Sequence, residues 1–336
     1  MKNKYIIDSP NYPYSVGLAI TNRCNLNCIH CNMSSGKEKE NELTKQECFK
    51  LIDEFAMKNI SRLMFLGGEP LVRKDFFEIA NYAINKKIPV GFTTNGILIN
   101  KELILKELYK FNLIRVSLDS PEYTIHEKIR NKKGVFDITL NNIKLLVKYG
   151  IDVAVVTCVS HLNYDKLEEF AKLLTDIGVT RWNLPIFSPF GRGENINEQA
   201  LTPLEIREFL ILLSDISKKY KNLSIGLDIP YAVMLPEYAN KRNESACPAG
   251  VTEIMIFSDG NISPCCQITK MSGNVRNHSI EDIWNNDEIF INFRDRSKIT
   301  GKCSSCEYLM QCGGCRANAF IRDGNYLGED RVCWKV

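Results

Sequence analysis

The chain has 336 residues, 44% of them apolar and 25% charged, with a formal net charge of +3. That is the balance of a globular protein with a large and a small domain, and nothing in it calls for a nucleic-acid partner. No apolar run is long enough to cross a bilayer, and the N-terminal MKNKYIIDSPNYPYS has no signal-peptide core, so no membrane partner and a cytoplasmic location are expected. Thirteen cysteines in a reducing compartment point to metal ligation or thiol chemistry rather than disulfides.

In chain order, β-rich runs are expected at residues 15–21, 62–67, 90–95, 114–119, 152–160 and 181–187. Helix-period segments separate them. TKQECFKLIDEFAMK opens with a capping box, Thr44 with Glu47, and is expected to bury Phe49, Ile52, Phe55 and Ala56 on one face. DFFEIANYAIN and KELILKELYK behave similarly, while FDITLNNIKLLVKYG and DKLEEFAKLLTDIG stop at Gly150 and Gly178. Such β–α units in series predict an α/β fold, a partial (β/α)6 TIM-like barrel short of closure, with its site at the C-terminal ends of the strands.

LTPLEIREFLILLSDISKKY adds a helix with Thr202 as cap, Pro203 in the first turn and Glu205 completing a capping box. The pattern changes after residues 225–228. From Cys247 onward helices are short and cysteines dense. EIMIFSDGNISPCC reads as a β-hairpin turning at Asp259-Gly260, and SIEDIWNN as a short capped helix. A region this poor in regular core is expected to depend on metal for its fold. The expected division is a core domain of residues 1–235 and a cysteine-rich domain of residues 236–336.

Cys24, Cys28 and Cys31 follow the first predicted strand with the spacing CxxxCxxC, at the mouth of the sheet. Three buried thiols, or a zinc site completed by His30, are the alternatives to a cluster. The spacing and setting resemble the radical S-adenosylmethionine (radical SAM) superfamily. That resemblance implies a [4Fe–4S] cluster bound by three thiolates, with its fourth iron left open for the amino and carboxylate groups of S-adenosyl-L-methionine. Reductive cleavage of that cofactor then gives a 5′-deoxyadenosyl radical that takes hydrogen from a substrate. His30 stands where family members carry an aromatic residue, and the resemblance gives it a backbone contact to adenine.

FLGGEP ends the second predicted strand and matches the superfamily's GGE motif, so Gly67, Gly68 and Glu69 are expected to hold the methionine amino group. FTTNG and VSLDS end the next two strands. The resemblance puts Ser117 at the cofactor's ribose or carboxylate and Arg130 at its carboxylate, with Asn95 and Asp119 at the same rim. A turn cap for Asn95, a helix cap for Asp119 and a solvated surface charge for Arg130 are the structural alternatives. Cys158 in AVVTCVSH is expected to be apolar packing, or a hydrogen-atom donor if its side chain enters the barrel. Cys48 is expected to be packing.

The later cysteines resemble the SPASM domain, an extension of radical SAM enzymes with auxiliary [4Fe–4S] clusters. The resemblance gives one cluster Cys303, Cys306, Cys312 and Cys333. It gives the other Cys247, Cys265 and Cys315, with a fourth position open or taken by Cys266. One or two auxiliary clusters are therefore expected. The family pattern has three residues between its fifth and sixth cysteines, whereas this chain has only Gly313 and Gly314. Structural zinc at the two CxxC pairs, 303/306 and 312/315, is the alternative.

These features imply an oxidoreductase-type radical SAM enzyme served by an electron donor such as flavodoxin or ferredoxin. The expected reaction is modification of a ribosomally made peptide by a thioether or carbon–carbon crosslink, epimerisation or oxidation. The chain enters its core within about twenty residues, so no leader-recognition domain is expected ahead of it. The runner-up is a small-molecule substrate, through decarboxylation or oxidation of a tetrapyrrole side chain, because IFSPFGRGE and CGGCRANAFIRDGNYLGEDRVC also resemble enzymes of alternative haem pathways.

Overall fold

The computed structural model describes residues 5–227, 229–234 and 247–335. Seven parallel strands follow one another in space: β1 (Ser15–Thr21), β2 (Arg62–Gly67), β3 (Val90–Thr94), β4 (Leu113–Ser117), β5 (Val153–Val156), β6 (Arg181–Asn183) and β7 (Ser224–Gly226). Helices α1 (Lys45–Met57), α2 (Phe76–Asn85), α3 (Lys101–Lys106), α4 (Tyr123–Arg130), α5 (Val135–Lys148), α6 (Leu167–Asp176) and α7 (Pro203–Lys219) alternate with them. This is the expected partial barrel, with β7 as one strand more than the six predicted.

The local signals act as their chemistry dictates. Thr44 and Thr202 each accept the backbone N–H three residues on, and Glu47 and Glu205 reach back to the cap N–H, so both capping boxes form. Gly150 and Gly178 sit at φ +69° and +83°, the left-handed geometry that ends a helix. On α1 the buried face is Cys48, Leu51, Ile52 and Phe55, while Phe49 and Ala56 are only partly covered. All seven residues of β1 are buried, as a strand covered on both faces must be. Phe65, Phe76, Phe92 and Phe111 pack edge to face behind β2 and β3, and each is worth about 1.5–3 kcal/mol of burial.

The C-terminal region continues the same sheet. β8 (Glu253–Ile256) runs parallel beside β1, and β9 (Asn261–Ser263) and β10 (Gly273–Asn274) follow it antiparallel. The β8–β9 turn carries Gly260 at φ +84°, where the hairpin was expected. The boundary expected at 235/236 lies outside the described residues; beyond it, β8 builds onto the core sheet. Helices α8 (Ile280–Asn286), α9 (Glu288–Arg294) and α10 (Arg316–Asp323) complete this part. The β1–β2 register shifts between Ala19 and Thr21, an irregularity that redirects the chain just before Cys24.

Candidate active site

The loop after β1 is fastened along its length. Cys24 N–H donates to the Gly36 carbonyl at 2.9 Å, Ile29 N–H to that of Ile129 at 3.0 Å, and Arg192 N–H to that of Cys31 at 3.0 Å. Gly68 and Glu69 donate to the carbonyls of Thr21 and Arg23 at 2.7 and 2.9 Å. These contacts explain the paired glycines. A Cβ on Gly67, at φ +120°, would lie 2.3 Å from the Thr21 oxygen, and one on Gly68 would lie 2.1 Å from that of Arg23. The glycines let β2 press against the cysteine loop while still lining the cleft.

That cleft measures about 1000 Å³, counting the solvent at its mouth. It gathers Cys24, Cys28, His30, Cys31, Gly67, Gly68, Asn95, Ser117, Arg130 and Cys158, all expected from the sequence, at the C-terminal ends of the strands. Burial pushes the Cys24 thiol up to about 11, and it also raises Cys28 against the pull of Arg130. Arg130 Nη1 lies 3.8 Å from Cys28 Sγ. His30 is held neutral, its pKa lowered to about 4 by burial, and its Nδ1 is buried with no hydrogen-bond partner among the described residues. Three soft donors in a largely apolar pocket beside a cation suit an iron–sulfur cluster, and the bare His30 nitrogen in the wall suits a further ligand.

Glu69 is placed differently from the expectation. Its side chain is fully buried and does not line the cleft. Its carboxylate accepts from Thr94 Oγ1 at 2.8 Å and from the backbone N–H groups of Asn95 and Leu71 at 2.7 and 3.2 Å. Burial nonetheless pushes its pKa up to about 7. Glu69 therefore ties the end of β2 to that of β3. Asn95 does the same toward the cysteine loop, donating to Asn25 Oδ1 at 2.7 Å.

Asp119 and Arg130 form a buried ion pair at 2.7 Å, so Arg130 is no solvated surface charge. Burial works to raise the Asp119 pKa, but Arg130 overrides it and leaves the carboxyl below the usual range. His126 Nδ1 accepts the Asp119 N–H at 3.2 Å, and burial keeps this imidazole neutral with a pKa near 4. Asp119 Oδ1 also takes the Cys158 N–H at 3.4 Å, and Asn163 Nδ2 bridges the carbonyls of Asp119 and Cys158 at 2.7 and 3.0 Å. Cys158 enters the cleft at the end of β5, on the side away from the packing role expected of Cys48, which is fully buried in the main core.

Sequence reasoning missed Arg192, Asn163 and Gln267. Arg192 donates from Nε to the Cys28 carbonyl at 2.9 Å and from Nη1 to that of Ser35 at 2.6 Å. Gly191 before it, at φ +62°, passes so close that a Cβ would sit 2.5 Å from the Asn32 oxygen. The signal was the FGRGE stretch, where glycines flank an arginine in the loop after β6. Replacing Gly68 with alanine is expected to push the cysteine loop out of register. A displacement of even an ångström costs about 100-fold in a positioned reaction, read as the initial rate of 5′-deoxyadenosine release.

The C-terminal cysteines fall into two sets. Cys303, Cys306, Cys312 and Cys333 line one small pocket of about 350 Å³ with Tyr308 and Leu309. Cys247, Cys265 and Cys315 form the other: burial raises Cys247 and Cys315, while Cys265 is raised first by its hydrogen bond with Cys266 and then by burial. Cys266 sits against Cys265 and accepts from Asn32 Nδ2, of the first loop, at 3.6 Å. Among the described residues no three Cys, His, Asp or Glu side chains converge as a single metal ion requires; the thiolates of a [4Fe–4S] cluster each take a different iron and stand wider apart. No helix among the described residues is long and apolar enough to cross a membrane.

Comparison with known proteins extends this picture. The model of the radical SAM superfamily matches residues 18–174, and that of the SPASM iron–sulfur cluster-binding domain matches residues 247–307. The AdoMet-dependent heme synthase of Methanosarcina barkeri is 30% identical, over 98% of this chain and 98% of its own. The mycofactocin maturase MftC of Mycolicibacterium smegmatis is 29% identical, over 96% of this chain and 82% of its own. The crystal structure of Streptococcus suis SuiB bound to the precursor peptide SuiA shares the fold, with a TM-score of 0.80 at 20% identity, over 97% of this chain and 77% of that one.

Proposed function

Since the chain belongs to the radical SAM superfamily and carries its SPASM iron–sulfur domain, we propose that it modifies a ribosomally made peptide at an unactivated carbon. Cys24, Cys28 and Cys31 hold the first cluster, and the walls formed by His30, Gly67, Gly68, Asn95, Ser117 and Arg130 hold S-adenosylmethionine. When bound, these groups supply the 5′-deoxyadenosyl radical. The chain itself excludes water, fixes the cofactor against the strand ends and presents the substrate carbon beside Cys158.

The observation that carries the peptide reading is the chemistry of the cleft wall. Its described side chains are mainly amides, hydroxyls and apolar groups: Asn32, Thr93, Ser188 and Gln267 among them. Its two described cations are already engaged, Arg130 with Asp119 and Arg192 with the carbonyls of Cys28 and Ser35. A backbone rich in N–H and C=O groups matches such a wall better than a tetrapyrrole with several carboxylates does. The peptide-maturing relative MftC supports the same reading. The C-terminal part reaches this wall through Gln267 and through Asn318, which holds Ser188 at 2.9 Å.

Tetrapyrrole side-chain oxidation is the second reading, and the end-to-end match to the heme synthase favours it. The two are separated by anaerobic assays of the reconstituted protein with reductant and S-adenosylmethionine. Each assay contains either short peptides encoded beside the gene or an iron-bearing coproporphyrin. The expected result is 5′-deoxyadenosine release coupled to a mass change in a peptide, or to deuterium uptake from D2O. Loss of carbon dioxide from the tetrapyrrole, with every peptide unchanged, would replace the first reading with the second.

A further inference from the structure

The short link between the two C-terminal cysteine sets has a physical reason. Gly313 and Gly314 both adopt left-handed backbone, at φ +64° and +71°. A Cβ on Gly313 would stand 2.3 Å from Arg296 Nη1. One on Gly314 would stand 2.6 Å from Arg316 Nη2 and 3.2 Å from Cys303 Sγ. The glycines thus admit two guanidiniums against the link, where a side chain at either position would fill the space they take.

Both arginines are 3% exposed, and Asp330 between the sets is fully buried. Arg316 Nη1 donates to the carbonyls of Tyr326 and Gly328 at 2.9 and 2.6 Å. Its Nη2 is buried and has no hydrogen-bond partner among the described residues. Arg296 lies within electrostatic reach of Cys247 from one set and of Cys312 and Cys303 from the other. Asp330 spans the seam: its carboxylate accepts the Cys315 N–H at 2.7 Å, while its own N–H points at Cys303 Sγ, 3.5 Å away.

A buried guanidinium is costly unless negative charge stands beside it. Arg316 stands within electrostatic reach of Asp330 and Cys303, and the thiolates of both sets, with what they bind, add negative charge beside the two guanidiniums. An iron–sulfur cluster with thiolate ligands is a net anion, and its potential responds to nearby charge and hydrogen bonds.

We propose that Arg316, with Arg296 beside it, is a positioning residue that holds up the reduction potential of the clusters bound by the two C-terminal cysteine sets. The shortened Gly313–Gly314 link is what lets it in. This rests on the reading of those cysteines as cluster ligands. Positive charge next to a cluster favours the reduced, more negative state. Removing it lowers the potential.

The test uses the reconstituted full chain with Cys24, Cys28 and Cys31 all changed to alanine, so that only the C-terminal sets load iron. Redox titration with dithionite and mediators, followed by electron paramagnetic resonance, reads each centre as one electron enters it; no bond is made or broken. Arg316→Gln is expected to lower the reduced-to-oxidised ratio at a fixed ambient potential by at least about tenfold, a downward shift of about 59 mV for a one-electron couple. Arg316→Lys keeps the charge and is expected to recover most of that shift. Iron-replete Arg316→Gln protein with the parent's potential would overturn the inference. If Arg316→Gln does not load, Arg296→Gln carries the same expectation, and an unchanged potential there overturns it equally. Absence of iron from the parent triple variant itself would instead refute the ligand reading.

Discussion

Cys28→Ala protein, reconstituted anaerobically and given reductant and S-adenosylmethionine, is expected to release no 5′-deoxyadenosine above background and to hold about four fewer irons per chain. The loss should be complete rather than graded. Cys28 is buried, and its sulfur has Arg130 Nη1 3.8 Å away. Alanine leaves two thiolates beside the buried Arg130 cation where three donors were arranged. The fold should survive, because Cys28 belongs to a small cluster with Leu26 and Val135 and not to the main core. Cys48→Ala supplies the contrast. That thiol is fully buried in the main core under α1, and its removal is expected to cost about 1 kcal/mol of stability with iron content and 5′-deoxyadenosine unchanged. Release by Cys28→Ala protein at the wild-type rate would sink the assignment of the first loop.

The parts legible in the sequence were those written in local spacing. Thr44 with Glu47 and Thr202 with Glu205 announce helix starts because a hydroxyl and a carboxylate three residues apart can satisfy each other's N–H groups. β1 and β2 begin and end where their apolar runs do. The three loop cysteines are close in sequence, so their meeting in one cleft needed no knowledge of the fold. β7 was missed because a three-residue strand carries too little pattern to stand out.

Long-range partners were the harder part. Glu69 reads as a free carboxylate at a strand end, and only the placement of Thr94 and Asn95 on the next strand shows that its oxygens are occupied. The break in pattern after residue 228 gave no sign that β8 would join the core sheet, where Glu253 pairs with Ser15 and covers an edge β1 would otherwise expose. The two glycines between Cys312 and Cys315 read in the sequence only as a departure from the family spacing; their reason appears once Arg296, from sixteen or more residues upstream, and the neighbouring Arg316 are seen packed against them.

The second large effect concerns Asp119. Asp119→Asn keeps the size of the side chain and removes its charge, leaving the Arg130 guanidinium buried without its partner at 2.7 Å. Breaking one half of a buried pair costs about 3–5 kcal/mol. For a chain of this size that lowers the melting temperature by roughly ten degrees. The network also fails locally. The N–H of Cys158 and the neutral His126 both bear on Asp119, and Arg130 is the described cation beside Cys28. Activity should therefore fall further than the loss of folded protein explains, which thermal melts and 5′-deoxyadenosine rates measured on the same samples would separate. The double variant Asp119→Asn, Arg130→Met decides between the two effects. With both charges gone no bare guanidinium remains, so stability should return most of the way, because a buried pair replaced by apolar groups is often close to neutral. Activity should not return, since the cation beside the Cys28 sulfur is gone. A double variant as unstable as Asp119→Asn alone would mean that packing, not charge, makes Asp119 necessary; a double variant with restored activity would remove Arg130 from the site.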